Sequence, residues 1–223
     1  MPSRKRAART KTRLASPVIS KNLVVDFDGT ITERDLLDEV ARTFGDPSVY
    51  RAVDDALDAG RITLQECITR EYEPVRAPLE DVVAWILENA RVRPGFGELV
   101  GTAEASGWRV LVVSSGFEEL IRPVLAREGI DVEVVANRVE PGPDGWRVVW
   151  RDEAVCATCG QPCKRSSLPH GEIVYVGDGY SDRCAALVAD RVFATNGLAA
   201  YLCERGVRFD RFDDFFSVAN ALA

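Results

Sequence analysis

Short apolar runs that end abruptly in polar or acidic residues recur along the chain. The first covers residues 23–25 and leads directly into Asp26 and Asp28. The runs at 109–113 and 173–176 have the same form and are rich in the β-branched residues that suit buried strands. Segments with helical periodicity separate these runs. The alternation predicts an α/β fold with a doubly wound, mostly parallel sheet.

One long segment, residues 33–91, has helical periodicity and no convincing strand. A stretch of this length after the first strand is too long for a simple crossover connection. We therefore predict a helical cap at 33–91 that covers the strand ends, with 21–32 and 92–223 forming the α/β core. Its predicted helices lie near 35–44, 48–59, 63–72 and 79–90.

The rest of the core follows from the same patterns and from turn residues such as Pro141 and Gly145. The predicted elements are helices near 95–106 and 117–128, a strand at 132–135, a hairpin at 137–150, a loop at 151–163 and a C-terminal helix near 212–222.

Charge is distributed unevenly along the 223 residues, whose formal net charge is −7. Seven of the 28 basic residues and none of the 35 acidic residues lie in residues 1–21. The acidic remainder argues against a nucleic-acid-binding surface on the folded part. We expect residues 1–20 to be a disordered basic tail, with an arm for nucleic acid or an anionic surface as the alternative.

The composition is that of an ordinary soluble globular protein, 46% hydrophobic and 28% charged. The tail lacks the apolar core of a secretory signal, and no stretch has the ~20 apolar residues needed to cross a bilayer. These observations predict a cytoplasmic protein without a membrane partner, in which the six cysteines stay reduced.

Asp26 and Asp28 follow the first strand two residues apart, so their side chains share one face. Two carboxylates this close stay ionised together only beside a cation; otherwise one of them holds a proton. Either state suits catalysis, because one carboxylate can bind Mg²⁺ and attack while the other acts as acid and base. Gly29 allows the tight turn that such a strand end requires.

Reactive side chains follow all three apolar strands: Asp26 and Asp28, then Ser114, then Asp178 and Asp182. The carboxyl ends of parallel strands lie along one edge, so these groups can converge in one crevice. Lys164 belongs with them, because the other three lysines all lie within residues 1–21. A compact ammonium suits a crowded site for phosphate and carboxylates better than a guanidinium.

Four motifs in this order resemble the haloacid dehalogenase superfamily: DFDGT at 26–30, VVSSGF at 112–117, Lys164 and GDGYSD at 177–182. The chain is most similar to the branch that contains phosphoserine phosphatase and the methionine-salvage enolase-phosphate phosphatase. The resemblance extends from residue 22 to the C-terminus and implies a Rossmann-like core with an inserted cap.

The resemblance also implies roles for individual residues. Asp26 would form an aspartyl-phosphate, and Asp28 would protonate the leaving oxygen and then activate water. Mg²⁺ would be held by Asp26, Asp178 and the backbone carbonyl of Asp28. Asp182 would orient Lys164 or a metal-bound water. The residues expected to bind the phosphate are Ser114, Lys164, Gly29, Thr30 and Ser115.

The substrate pocket is defined less sharply by these motifs. Asp35 stands where phosphoserine phosphatases carry a longer glutamate, and Arg70 only roughly matches an arginine that meets the substrate carboxylate. Asp35 with Thr32 would also suit a cationic or hydroxylated leaving group. Asp35 and Arg70 could equally be solvated residues on helix faces.

Three cysteines cluster at Cys156, Cys159 and Cys163. We expect small buried residues beside the active site. The alternatives are a redox sensor and a structural Zn²⁺ site with Cys184 or His170 as the fourth ligand.

Taken together, the residues predict a Mg²⁺-dependent phosphomonoesterase that acts on a small soluble phosphorylated metabolite. One alternative is a phosphomutase or phosphotransferase on the same fold. Another is a non-catalytic interaction protein that uses its basic tail. The pattern does not predict an oligomeric state.

Overall fold

A seven-stranded sheet forms the centre of the computed structural model, which describes residues 20–223. The basic tail predicted at 1–20 therefore lies, apart from Ser20, outside the described residues. The strand order is β4-β3-β2-β1-β5-β6-β7, and only the β3–β4 pair of this sheet is antiparallel. The strands are β1 (Lys21–Val25), β2 (Trp108–Phe117), β3 (Glu133–Gly142), β4 (Gly145–Val149), β5 (Glu172–Gly177), β6 (Arg191–Ala194) and β7 (Asp210–Arg211).

Helices pack on both faces of this sheet, which confirms the predicted α/β class with a mostly parallel, doubly wound sheet. The helices are α1 (Leu36–Phe44), α2 (Pro47–Asp58), α3 (Leu64–Tyr72), α4 (Leu79–Asn89), α5 (Phe96–Ala105), α6 (Glu118–Arg127), α7 (Arg183–Ala186), α8 (Asn196–Glu204) and α9 (Phe215–Asn220).

Strand β1 is central because it is apolar on both faces. Leu23 and Val25 pack in the core layer that contains Phe96 of α5, and Val24 packs in the opposite layer with Leu202 of α8. A strand covered on both sides reads as a continuous apolar run. Its carboxyl end lies between the ends of β2 and β5, which places residue 26 at the middle of the sheet edge.

Helices α1 to α4 all lie in the segment predicted as a cap. Its two connections to the core run side by side, joined by an antiparallel bridge between Thr32 and Val92. The amide of Arg93 donates to the Ile31 carbonyl at 2.7 Å. Chain entry and exit are therefore adjacent, next to the end of β1.

Strand β3 differs from the sequence expectation, which had a strand at 132–135 and a separate hairpin from 137. It is one continuous strand, parallel to β2 in its first half and antiparallel to β4 in its second. Ala136 and Asn137 are both buried and do not form a turn, so the chain continues through them. The final helix also begins later than predicted, because the Asp214 side chain accepts from the Ser217 amide and caps it.

No helix within residues 20–223 is both long enough and apolar enough to cross a bilayer. The cytoplasmic location stays a prediction.

Candidate active site

The turn after β1 places the two aspartates of the first motif at the sheet edge. Gly29 adopts a φ of +74°, in the left-handed region that favours glycine. A Cβ at this position would lie 2.5 Å from Oδ2 of Asp178, so the glycine also allows the two motifs to approach. Asp26 is buried, whereas Asp28 is partly exposed. Both line a cavity between this sheet edge and the helical segment, called the active-site cavity below.

Lys164 is buried at the centre of the site, with only 1% of its surface exposed. Its Nζ donates to Asp26 and to Oδ1 of Asp182, the latter at 2.7 Å. Burial alone would lower the pKa of Lys164, but Asp182 and Asp26 outweigh it and hold the pKa above its usual value. The ammonium is therefore a fixed positive charge beside Asp26.

Asp182 uses both of its carboxylate oxygens within the protein. Oδ1 accepts from Lys164 and from the Tyr175 hydroxyl at 2.6 Å, and Oδ2 accepts from the amides of Asp178 and Gly179, both at 2.9 Å. Asp182 is fully buried. Because both of its oxygens have partners within the protein, Asp182 is suited to orienting Lys164. Asp26 and Asp178 are then the carboxylates that could bind a cation.

Asp26 and Asp178 are the carboxylates best placed to hold a cation. One carboxylate oxygen from each of Asp26, Asp178 and Asp182 lies within 4.8 Å of the other two. Burial, followed by the charges of Asp182 and Asp178, raises the pKa of Asp26 well above its usual value. A nucleophilic Asp26 must be ionised, and a divalent cation between these oxygens would favour that form. The donor set therefore fits Mg²⁺, which prefers carboxylate oxygens.

The Thr30 hydroxyl is used differently from the phosphate contact predicted for it. Its Oγ1 is buried 3.2 Å from Asp26 Oδ2 and 3.1 Å from Asp178 Oδ1. The side-chain Nδ2 of Asn196, at the start of α8, donates to Oδ2 of Asp178 at 3.2 Å. The side chains of Thr30 and Asn196 therefore orient the two carboxylates. Asn196 lies outside the four sequence motifs, so the sequence did not identify it.

Asp28 lies opposite the end of β2. It accepts from the Ser114 hydroxyl at 3.2 Å, and that hydroxyl accepts from the Gly116 amide at 2.8 Å. Burial raises the pKa of Asp28 to about 6, partly offset by Lys164 and Ser114. A carboxyl group that titrates near neutral pH can both donate and accept a proton during one turnover.

Ser114 and Ser115 are held in place by residues that the sequence did not single out. Asn137 on β3 donates to the Ser115 carbonyl at 2.7 Å. Arg151 donates to the Ser114 carbonyl at 3.0 Å. Ser115 lines the active-site cavity, together with Gly116.

The wall of that cavity formed by the helical segment is strongly acidic. Asp35 caps α1 by accepting from the Asp38 amide at 2.9 Å, and it lines the cavity. Glu71 is buried, accepts from the Cys67 thiol at 3.5 Å and also faces the cavity. Burial, with the nearby Asp38, raises the pKa of Glu71 to about 7. The other acidic residues of this wall are Asp38, Asp54 and Asp58.

Two residues expected at the substrate are not brought into this cavity. Arg70 is exposed on α3, and no arginine or lysine is among the described residues that line the cavity. Thr32 is buried, and its hydroxyl donates to the carbonyl of Arg34 at 2.7 Å. Of the predicted pocket residues, only Asp35 faces the catalytic aspartates.

The cysteines also differ from the expectation of small buried residues. Cys156 and Cys163 are half-buried and Cys159 is exposed, so the expectation is wrong for all three. They lie beside Cys184 of α7. His170, the other suggested partner, is exposed in the loop before β5.

A parallel sheet that brings paired aspartates, a lysine and a serine to its carboxyl edge is the arrangement expected of a phosphatase. The family model for haloacid dehalogenase-like hydrolases matches residues 23–187. The chain belongs to this family and is a phosphoric monoester hydrolase, as the sequence resemblance had implied.

Two relatives and one solved structure illustrate this membership. The chain is 30% identical to 2-hydroxy-3-keto-5-methylthiopentenyl-1-phosphate phosphatase of Brevibacillus brevis, covering 92% of this chain and 96% of that one. It is also 30% identical to the polyol phosphate phosphatase PYP1 of Saccharomyces cerevisiae, covering 90% and 91%. The crystal structure of phosphoserine phosphatase from T. onnurineus has a TM-score of 0.67 at 21% identity, covering 95% and 98%, and thus shares the fold.

Proposed function

We propose that this phosphatase is Mg²⁺-dependent and hydrolyses a small phosphorylated metabolite through an aspartyl-phosphate on Asp26. One observation carries the proposal: Asp26, buried and fixed by Lys164, lies beside Asp178 and at the floor of the cavity that Asp28 and Ser114 also face. Magnesium dependence and an aspartyl intermediate are general features of the family.

In the first step, a carboxylate oxygen of Asp26 attacks phosphorus and the bond from phosphorus to the ester oxygen breaks. Asp28 donates its proton to the departing oxygen, a role that suits a pKa of about 6. Ser114 and Lys164 stabilise the negative charge on the phosphoryl oxygens. The products of this step are the free alcohol and an acyl phosphate on Asp26.

In the second step, water attacks phosphorus while the Asp28 carboxylate takes one of its protons. The bond between phosphorus and the Asp26 oxygen breaks, so inorganic phosphate leaves and both aspartates return to their starting states. Mg²⁺, held by Asp26, Asp178 and the carbonyl of Asp28, would neutralise charge on the phosphoryl group. Lys164 keeps its proton throughout, because Asp182 holds its pKa high.

The cavity wall favours a leaving group that carries hydroxyls or a cation and no carboxylate. Asp35 and Glu71 present oxygens that can accept from hydroxyls or from an ammonium group. A substrate carboxylate would find no described basic side chain on this wall to offset its loss of hydration. Relatives named for a hydroxyketone phosphate and for polyol phosphates support this class.

The test is phosphate release from a panel of esters, with and without Mg²⁺. Phosphoserine and phosphoethanolamine form a matched pair, since they differ only by the carboxylate; phosphocholine, a polyol phosphate and a methionine-salvage-like phosphate complete the panel. We expect Mg²⁺-dependent turnover, with kcat/KM at least roughly 10-fold higher for phosphoethanolamine than for phosphoserine.

Asp26→Asn removes the nucleophile and should abolish turnover, whereas the exposed Asp131→Asn should leave it unchanged. Phosphate release by folded Asp26→Asn at the wild-type rate would refute the aspartyl mechanism. Exchange of phosphate between positions of a substrate without release would indicate a phosphomutase instead. A preference for phosphoserine would refute the proposed substrate class but not the mechanism.

A further inference from the structure

Four cysteines come together beside the active site, three from one loop and the fourth from a helix further along the chain. Cys156, Cys159 and Cys163 lie in the loop between β4 and β5, and Cys184 lies in α7. All four Sγ atoms are within 4.8 Å of one another, and none of the four cysteines forms a disulfide. Neither the phosphatase chemistry nor the substrate pocket uses these side chains.

The spacing of the four sulfur atoms is close to the one that a tetrahedral metal ion requires. Zinc–thiolate bonds are about 2.3 Å long, so the sulfurs of a Zn(Cys)₄ site lie about 3.8 Å apart. Small movements would bring the observed cluster to this geometry.

The loop itself has the backbone of a metal-binding turn. In the segment Cys156-Ala157-Thr158-Cys159-Gly160, the Thr158 amide donates to Sγ of Cys156 at 3.4 Å. The Gly160 amide donates to the Cys156 carbonyl at 2.8 Å, and Gly160 has a φ of +73°. The turn thus directs a backbone N–H at a sulfur atom, which stabilises a thiolate.

Both the length and the surroundings of the loop favour a bound cation with thiolate ligands. Residues 150–163 contain no helix or strand, and an ordered loop of this length in a compact domain usually has a function. A second cavity, separate from the active-site cavity, borders the cysteines and is lined by Arg151, Arg183 and Arg205. Their charges would offset the two excess negative charges of four thiolates around one Zn²⁺.

We propose that Cys156, Cys159, Cys163 and Cys184 bind one Zn²⁺ as four thiolates, releasing their thiol protons to solvent. Four protein ligands leave no open position, so the site is structural. It would join the residue preceding Lys164 to a residue two positions after Asp182, and thereby hold the Lys164–Asp182 pair together. The side chain of Gln161 in the same loop accepts from the Leu64 amide at 3.1 Å, so the zinc would also support the start of α3.

Metal analysis of the full chain, purified under reducing conditions and loaded with Zn²⁺, tests this assignment. We expect about one tightly held zinc per wild-type chain. Cys159→Ser and Cys184→Ser should each lose most of it. Two variants should retain it: Cys203→Ser, an exposed cysteine of α8 outside the cluster, and Asp178→Asn, which alters only the carboxylate site.

Cobalt substitution gives a second measurement that does not depend on the variants folding. Co²⁺ in the wild-type chain should show sulfur-to-cobalt charge-transfer bands and the strong visible bands of a tetrahedral site. Wild-type protein without stoichiometric zinc and without this cobalt spectrum would overturn the proposal. So would zinc retained equally by Cys159→Ser, or a mass showing that the cysteines have paired as disulfides.

Discussion

Gly116 lies where the end of β2 meets the proposed acid. A Cβ at this position would be 2.8 Å from Oδ2 of Asp28 and 3.2 Å from Oγ of Ser114. Such a contact is too short, and both neighbours are functional groups. Only glycine therefore fits at this position without displacing Asp28 or Ser114. Its φ is not in the left-handed region, so alanine would not strain the backbone.

We expect Gly116→Ala to fold and to lose activity. Displacing Asp28 by about 1 Å would lower kcat roughly 100-fold. The matched control is Gly101→Ala in α5, where a Cβ would have no neighbour within 4 Å. That variant should keep full activity and gain about 0.5–1 kcal/mol of stability. Steady-state kinetics and urea unfolding of both variants check the prediction, and an unchanged kcat in Gly116→Ala would contradict it.

Most of the reactive residues could be predicted because the aspartate motifs follow β1 and β5, Ser114 lies near the end of β2, and parallel strands end at one edge. Lys164 lies in the connection between β4 and β5 and could be identified because it is the one lysine beyond residue 21. Asp26, Ser114, Lys164 and Asp178 are indeed brought together. The supporting residues could not be predicted in the same way. Asn196 reaches Asp178 from α8 only because of how that helix packs, and nothing local to its sequence signals the contact.

At the scale of elements, α3 contains a carboxylate that is costly to ionise. Glu71 is buried, with the Cys67 thiol as its hydrogen-bond partner and Asp38 nearby, and burial raises its pKa from an ordinary 4.5 to about 7. The folded protein therefore binds a proton that the unfolded chain has released between these pH values. The contribution of Glu71 to the free energy of unfolding consequently falls as the pH rises from about 4.5 to about 7.

Glu71→Gln removes this titration. We expect the variant to be more stable than wild type by up to about 3 kcal/mol at pH 8. The advantage should disappear below about pH 4.5, where Glu71 is protonated in both states. Urea unfolding between pH 4 and pH 8 measures it. The matched control is Glu73→Gln, at the exposed residue that follows α3, which should change the free energy of unfolding at pH 8 much less than Glu71→Gln does. A constant difference for Glu71→Gln across this range would contradict the assignment.

Helices and strands could be predicted where the periodicity of apolar residues determines them. They were harder to predict where tertiary contacts determine them. The apolar runs of β1, β2 and β5, which are buried, are recognisable as strands from the sequence alone. Strand β7 has only two residues, both exposed, and exists because it pairs with β6. Its sequence carries no strand pattern, so the edge of the sheet could be located only in the structure.

At the scale of the whole molecule, charge is concentrated, within residues 20–223, where the predicted motifs meet. Asp26, Asp28, Asp178 and Asp182 surround a single buried lysine, and burial raises the pKa of Asp26, Asp28 and Asp178. This crowding lowers the stability of the metal-free fold. It also gives a divalent cation a large electrostatic advantage in the folded state, because the unfolded chain does not hold these carboxylates together.

Mg²⁺ should therefore stabilise the whole fold. At a free concentration 100 times its dissociation constant, the gain is about 2.7 kcal/mol, or roughly 5–10 °C in Tm for a chain of this size. Asp178→Asn should abolish this shift, yet the metal-free variant should be at least as stable as metal-free wild type, because a repelling charge is gone. The exposed Asp131→Asn should keep the full shift. Thermal unfolding in the presence of Mg²⁺ and of a chelator measures these shifts in Tm. An equal shift in wild type and in Asp178→Asn would show that the cation binds elsewhere.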